Sequence, residues 1–479
     1  VATRTTTQAG NWSNVATWTD NLKPGTGDTA QIDHAVTVDE DISFDILDNN
    51  DTLTFSAAAR IVTIDDGGSI DNAGGTIDHD TNDGNCTYKA SAGSTKWSWQ
   101  GNSGTLDVGS GELHFENGKL WISDSWTVFT KGTLYFDEDM DLYSTVNLKY
   151  MYFHCPVTFA SGKTFIISDG TNSFNMYVRS ANGNLTAVGS EGNEIIFTGD
   201  NQKGGIIFYG DAGGNDLDLQ YVDFSNLSQF QMNSVNSAEN DVTISNCSFG
   251  NMTYGTYFYF CVGTFTWSNC TWYSNTYSFD DASGNTTVFN FNDCVTYSAT
   301  GTGFAVDNEN GSVTFNRCKA YSNTHGFSIV GLVADGYDNA VLNNCLGYEN
   351  LYSGCLFNYM GTGNQITNCT FADNGTSHRQ IYTDILAGGS VAIKNTICYG
   401  GKYGIDNSYS EVDPVLTNCN VYGASTSNYY GMDDPTGISG CMSVDPMFHD
   451  YANNDYRLSH TSPCLMQGLP VGSGMPSLD

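Results

Sequence analysis

From Val242 to about Tyr422, apolar and polar residues alternate in short runs, and the same run returns at a nearly fixed step. Ile244, Trp267, Phe291, Phe315, Leu342, Ile366, Ile393 and Leu416 hold one apolar place. Two residues after each stands Asn246, Asn269, Asp293, Arg317, Asn344, Asn368, Asn395 or Asn418, followed by Cys in every copy but Asn395-Thr396. The steps are 23, 24, 24, 27, 24, 27 and 23 residues, a regularity that marks a solenoid whose repeats stack on one continuous core. Successive strand residues face opposite sides, so the apolar column is core, and the Asn two places on is expected to turn inward with it. A lone inward amide is costly, but an Asn stacked on Asn can bond its neighbours, and such a ladder would fix the register. A second apolar run follows each copy, as in Gly303-Phe304-Ala305-Val306 and Gly326-Phe327-Ser328-Ile329. Each coil therefore holds two or three strands.

The same reading divides the chain. Residues 1–50 form an N-terminal cap and first strands, with Trp12 and Trp18 covering the open end of a sheet stack. Residues 51–240 are irregular rungs, with a flap at 81–110 that carries Trp97 and Trp99. Regular Asn-Cys rungs fill 241–440, and 441–479 is a C-terminal cap. No stretch of ten or more residues has helical periodicity. The chain is all-β.

Composition then limits the function. A net charge of −35 repels nucleic acid and anionic membranes, so neither is an expected partner, while cations, Ca²⁺ in an unspecific way, would be drawn to the surface. No run of about 18 apolar residues offers a membrane span. The chain starts at Val1, which suggests removal of a signal peptide or propeptide. Seven of the 14 cysteines stand one per rung beside the Asn position. Rungs about 4.8 Å apart would stack them into a buried column of free thiols, a device that suits folding in a reducing compartment. No CxxC or Cys/His cluster points to a metal, and no cofactor is expected.

The pattern Val242-Thr243-Ile244-Ser245-Asn246-Cys247-Ser248-Phe249 resembles the right-handed parallel β-helix repeat family, the pectate-lyase-like superfamily. The end segment Val444-Asp445-Pro446-Met447-Phe448, Asn454-Asp455-Tyr456-Arg457-Leu458 and Ser462-Pro463-Cys464 resembles the C-terminal cap of many bacterial and phage β-helix proteins. The resemblance covers about residues 185–468. It implies a right-handed parallel β-helix with Asn and Cys ladders and caps at both ends, but a shared fold hosts many activities. Polygalacturonases of this superfamily carry Asn-Thr-Asp, Asp-Asp, Gly-His-Gly and Arg-x-Lys on successive rungs. Here Asn275-Thr276 is followed by Tyr277, Asp280-Asp281 lies too far from His325-Gly326, His378-Arg379 follows, and Arg-x-Lys is absent. Lyases of this fold use a basic residue beside Ca²⁺-binding acids. Arg317 and Lys319 near Asp307, Glu309 and Asp335 would be such a set, and solvated turns explain the same residues.

One further column carries a functional expectation. Four residues after the Asn position stand Tyr273, Tyr297, Tyr321, Tyr348, Tyr399 and Tyr422, interrupted by Gly250 and Ala372. Facing outward, these rings would form a flat stripe that stacks on sugars or packs on another subunit. With no recognisable active site, the sequence reads as a non-enzymatic extracellular structural protein, such as a phage fibre, spike or decoration component. Its partners would be a cell-surface glycan or other virion or surface subunits, and the resemblance adds self-association, as in trimeric fibres. The alternative is a secreted bacterial β-helix protein that binds or cleaves acidic polysaccharide.

Overall fold

The computed structural model describes residues 2–465 and 467, apart from 57, 73–74, 80–85, 92–96, 102–104, 108–111, 123–125, 129–132, 145–148, 169, 180–183, 210–216, 236–241, 283–286, 308–310, 332–335 and 376–377. Among these residues there is no α-helix, and strands pair almost everywhere in parallel. The fold is a right-handed parallel β-helix. Two compact units divide it, 1–236 and 237–479.

In the second unit each coil has three strands, shown by Val242–Ser245, Ser248–Gly250 and Tyr254–Tyr259. The predicted apolar column pairs in register from Ile244 through Trp267, Phe291, Phe315, Leu342, Ile366 and Ile393 to Leu416. Its rings stack inside the coil, with Phe291 and Phe315 centroids 4.7 Å apart.

The residue after the first strand is a corner. Asn246, Asn269, Asp293, Arg317, Asn344, Asn368, Asn395 and Asn418 all have φ between 48° and 56°. Most L-residues avoid this left-handed region, and Asn tolerates it best. The corner breaks the strand alternation, so the expectation that this Asn faces inward is corrected: Asn246 is half-buried and Asn269 exposed. The Cys that follows turns in instead. Cys247, Cys270, Cys294, Cys318, Cys345, Cys369 and Cys419 are buried at 2% exposure or less, and their thiols donate to backbone carbonyls, as Cys318 Sγ does to Phe291 O at 3.4 Å.

A second left-handed residue ends each second strand: Asn251, Ser274, Ser298, Ser322, Glu349, Asp373, Gly400 or Gly423. Directly after it comes the amide ladder that does face inward. Asn275, Asn323, Asn350 and Asn374 are buried. Asn323 Nδ2 donates to Asn350 Oδ1 at 3.2 Å, Asn350 Nδ2 to Asn374 Oδ1 at 2.8 Å, and Asn374 Nδ2 to Gln380 Oε1 at 2.7 Å. At the outer corner the ladder bond recurs between Asn395 Nδ2 and Asn368 Oδ1 at 3.1 Å.

In the first unit Trp12 and Trp18 are buried against each other, ring centroids 4.9 Å apart, and Trp18 Nε1 donates to Trp12 O at 3.0 Å. The flap expected at 81–110 is, where described, made of strands: Cys86–Ala90, Trp97–Gly101 and Thr105–Asp107 pair in the sheets. Trp97 and Trp99 are fully buried beside Phe115. Their alternation (Trp-Ser-Trp) is that of a core strand. The remainder of that segment lies outside the described residues.

The second unit closes on an antiparallel hairpin, Phe448–Asp450 with Asp455–Leu458, which lies on the outer side of its second strands. Ser462 Oγ ties the following turn to Pro446 O at 2.6 Å.

Candidate functional site

The third strand of each coil in the second unit presents its alternate residues outward. Parallel pairing brings Tyr257, Asp280, Ala305, Ser328, Leu356, Tyr382, Asp406 and Tyr430 into one column. His325, Ser353, Arg379, Tyr403 and Ser427 form a second column three residues earlier. Chemistry that lies more than a hundred residues apart in sequence therefore shares one sheet face.

At one end of this face are carboxyls and rings. Tyr254 and Tyr277 stack at 5.2 Å. Burial raises the pKa of Asp280. Asp307 keeps solvent access, yet the partial burial of its carboxyl, and secondarily Asp280 on the rung before, push it up to about 6. The phenols of Tyr254 and Tyr257 are raised by burial and then by Asp280. The Asp-Asp motif splits across the strand: Asp280 faces out, whereas Asp281 follows the core parity of Phe258 and Val306 and is buried.

Further along the face, cations and imidazoles gather. Arg379 Nη1 donates to Asp406 Oδ2 at 2.7 Å, with the Asp406 side chain only 2% exposed. The Arg379 guanidinium lies 4.3 Å from the centre of the Tyr382 ring and Lys402 lies 4.9 Å from that of Tyr403. His325 is pushed down to about 4 by burial, then by Arg379 and His378, so it is neutral at ordinary pH. Its Nδ1 lies 2.7 Å from Ser353 Oγ. Ser353 is fully buried, which makes this pair a link within the wall, closed to an incoming substrate.

A carboxyl that titrates near 6 can either give or take a proton in neutral solution, as acid–base chemistry on a glycosidic or uronate substrate needs. The described members of the lyase-like set are not brought together. Arg317 and Lys319 flank the start of a second strand, while Asp307 follows a third strand; Arg317 is instead held by Asp293 at 2.7 Å. Glu309 and Asp335 lie outside the described residues. No group of three or more His, Cys, Asp or Glu that could hold a metal ion is found among the described residues.

The tyrosine column does face outward, and each of its rings is half-buried. Tyr273–Tyr297, Tyr297–Tyr321 and Tyr321–Tyr348 stack at 5.9, 5.1 and 4.8 Å with interplanar angles of 18°, 5° and 8°. Their faces are turned on one another, and edges and hydroxyls meet the solvent. Tyr399 lies 6.3 Å from Tyr422. Where Ala372 interrupts the column, the C-terminal hairpin fills the place: Tyr456 lies 5.2 Å from Tyr348, and Tyr451 5.2 Å from Tyr399.

Exposed aromatics are elsewhere. In the second unit Tyr259, Phe260, Tyr277, Tyr352, Tyr409 and Tyr430 lie on or beside third strands, and among the described residues only Tyr451 of the hairpin joins them. Sequence reasoning reaches Asp280, Asp307 and His325 but does not join them into one face, because insertions between the Asn-Cys copies blur the third-strand alignment. The recurrent Gly before the strand, at Gly303, Gly326, Gly354 and Gly404, could have aligned it.

No helix is long and apolar enough to cross a membrane among the described residues. No protein-family model and no curated protein matches the sequence. Among solved structures, one titled "Crystal structure of pectate lyase Pel9A" is similar at 14% identity, over 67% of this chain and 81% of that chain, with a TM-score of 0.31, a likeness too loose to bear on the site.

Proposed function

We propose that the protein is an extracellular glycan-contacting β-helix, with the outer third-strand face of its second unit as the contact surface. The observation that carries this reading is the gathering of the exposed rings of Tyr259, Phe260 and Tyr277 on the rung that carries Asp280 and the rung before it, with Asp307 one rung further on. Exposed rings can pack on the apolar face of a sugar, and neighbouring carboxyls take hydroxyl hydrogen bonds. The test is binding to a panel of neutral and acidic polysaccharides, with reducing ends and the absorbance of unsaturated uronates followed in parallel. Tyr257→Ala with Tyr277→Ala should weaken binding about tenfold, at about 0.5–1.5 kcal/mol per ring. Absence of binding across the panel, or indifference to that double change, defeats the reading. Turnover that is lost in Asp307→Asn would add cleavage to binding.

The stacked tyrosines can share in contact through edges and hydroxyls. That role ends if Tyr297→Ser with Tyr321→Ser leaves both glycan binding and self-association unchanged. A second reading, a virion fibre or spike component, is supported by the buried column of free thiols, which suits assembly in a reducing cytoplasm. It predicts soluble folded chain from cytoplasmic expression and disulfide-scrambled chain from an oxidising compartment. Equal yield of native protein from both would remove this support.

A further inference from the structure

The last complete coil of the second unit consists of Val415–Thr417, Asn420–Tyr422 and Ser427–Tyr430. Before the hairpin the chain lays one partial turn on that coil. Met442 N donates to Cys419 O at 2.9 Å, Val421 N to Met442 O at 3.2 Å, and Asn420 pairs with Met442 in an isolated parallel bridge. This register sets Cys441 directly opposite Cys419. Strands so paired lie about 4.8 Å apart, inside the Cα separation of about 4.4–6.8 Å that a disulfide spans.

The same opposition recurs from Cys247 to Cys369, so proximity alone does not single out this pair. Its position does. Thr396 stands in the Cys place on the rung before Cys419 and separates the pair from the rest of the column. Over Cys441 lies the turn 431–440, whose residues are all exposed or half-buried. Gly437, Ser439 and Gly440 of that turn have φ of 86°, 50° and 74°. Gly440 runs so close to the first corner that a Cβ there would collide with Asn418 Oδ1. The two thiols are also unequal. Hydrogen bonding with the Cys419 thiol, then with the backbone at Cys419 and Asn418, holds Cys441 down at about 6 against burial and Asp434. The same thiol bond, then burial, raises Cys419. Against its burial, Cys270 is likewise held down by Cys247 and Cys294, but complete coils lie on both sides of it.

We propose that Cys441 and Cys419 form a two-thiol oxidation site that takes a small hydroperoxide and closes to a disulfide, fastening the partial turn to the last complete coil. The Cys441 thiolate attacks one peroxide oxygen. A sulfur–oxygen bond forms, the oxygen–oxygen bond breaks, and the departing alkoxide or hydroxide takes a proton from solvent. Cys419 then attacks the sulfur of this sulfenic acid. The sulfur–sulfur bond forms, and hydroxide leaves as water with the proton of Cys419. Two thiols and one hydroperoxide thus give one disulfide, one alcohol (or water) and one water, with two electrons passing from sulfur to oxygen. A reducing dithiol reverses the change by thiol–disulfide exchange. No residue of this pair belongs to the third-strand face, so the site stands or falls separately from glycan contact.

The experiment treats the native, reduced full chain with a few equivalents of hydrogen peroxide at neutral pH. Remaining thiols are then alkylated in denaturant, and the peptides are mapped by mass spectrometry. One disulfide, Cys419 to Cys441, is expected, formed at least tenfold faster than any other thiol is oxidised and removed by dithiothreitol. Cleavage within 431–440 by a protease should slow severalfold once it has formed. In Cys419→Ser, Cys441 should stop at the sulfenic acid, which dimedone traps. Cys464→Ser, at the half-buried thiol, should leave the disulfide unchanged. The mapping needs only the wild-type chain, so a variant that misfolds does not remove the test. First oxidation at Cys464, at Cys270 or across another pair of the column would overturn the proposal. So would thiols at 419 and 441 that stay reduced, or cleavage within 431–440 that ignores the disulfide.

Discussion

Where a coil carries asparagine at both corners, as with Asn269 and Asn275 or Asn344 and Asn350, the two do opposite jobs, and backbone conformation decides which. At the first corner, Asn269 is exposed with φ 56°; its value is tolerance of the left-handed region. Asn269→Ala should cost about 1 kcal/mol, and Asn269→Gly should cost less. Asn350, six residues after its own corner, bonds Asn374 and Ala320 O inside the coil. Asn350→Ala would strand those partners and should cost about 1–3 kcal/mol. Denaturant titrations of the three variants check the order. The apolar column and the inward Cys were legible from period and alternation. The inward amide was placed on the wrong Asn because strict alternation was carried through a residue whose φ is positive, and nothing in the strand pattern announces that corner.

Asp307 gives a pH signature at the same scale. Its pKa is raised to about 6 from the ordinary carboxyl value of 3.8, so the folded state holds the proton more tightly than the unfolded one. Its contribution is most favourable below pH 4 and is lost as pH rises through 6. Asp307→Asn should therefore match the wild type near pH 4 and melt higher at pH 7. A difference between the two proteins that does not change with pH would contradict the assignment.

At the level of elements, the C-terminal hairpin and the tyrosine column complete each other. Asp373 accepts from Tyr451 at 2.8 Å and from Tyr456 at 3.2 Å, beside the small Ala372 that leaves space for their rings. The closing motif was recognised in the sequence as a cap, but its partner was not, since the contact joins residues 78 and 83 positions apart. Asp373→Ala should free the hairpin without unfolding the coils. Limited proteolysis would show faster cleavage around 451–453, while amide exchange in Ser353–Met360 stays slow. Equal cleavage rates would mean that ring packing alone holds the hairpin.

For the molecule as a whole, the cysteines make the most direct check on the solenoid reading. All 14 are free, and only Cys464 is more than slightly exposed. Burial raises the thiol pKa along most of the column, for example at Cys318 and Cys345. A thiol reagent should label Cys464 first in the native protein and reach all 14 only on denaturation. Rapid labelling of the full set in the native state would exclude a packed interior. The −35 charge could be read from the sequence; the meeting of Arg457 with Arg317 and Lys319 around one cleft under the hairpin could not, because it depends on the folding back of the hairpin.

The parallel tyrosines have an optical consequence. Four rings from Tyr273 to Tyr348, spaced 4.8–5.9 Å and aligned within 18°, place their transition dipoles in near contact, so excitation delocalises along the column. Near-ultraviolet circular dichroism of the native chain should carry an exciton couplet that free tyrosine lacks. Because Tyr456 extends the array at a 50° tilt, the couplet would change when the hairpin lifts, giving a label-free signal for that motion.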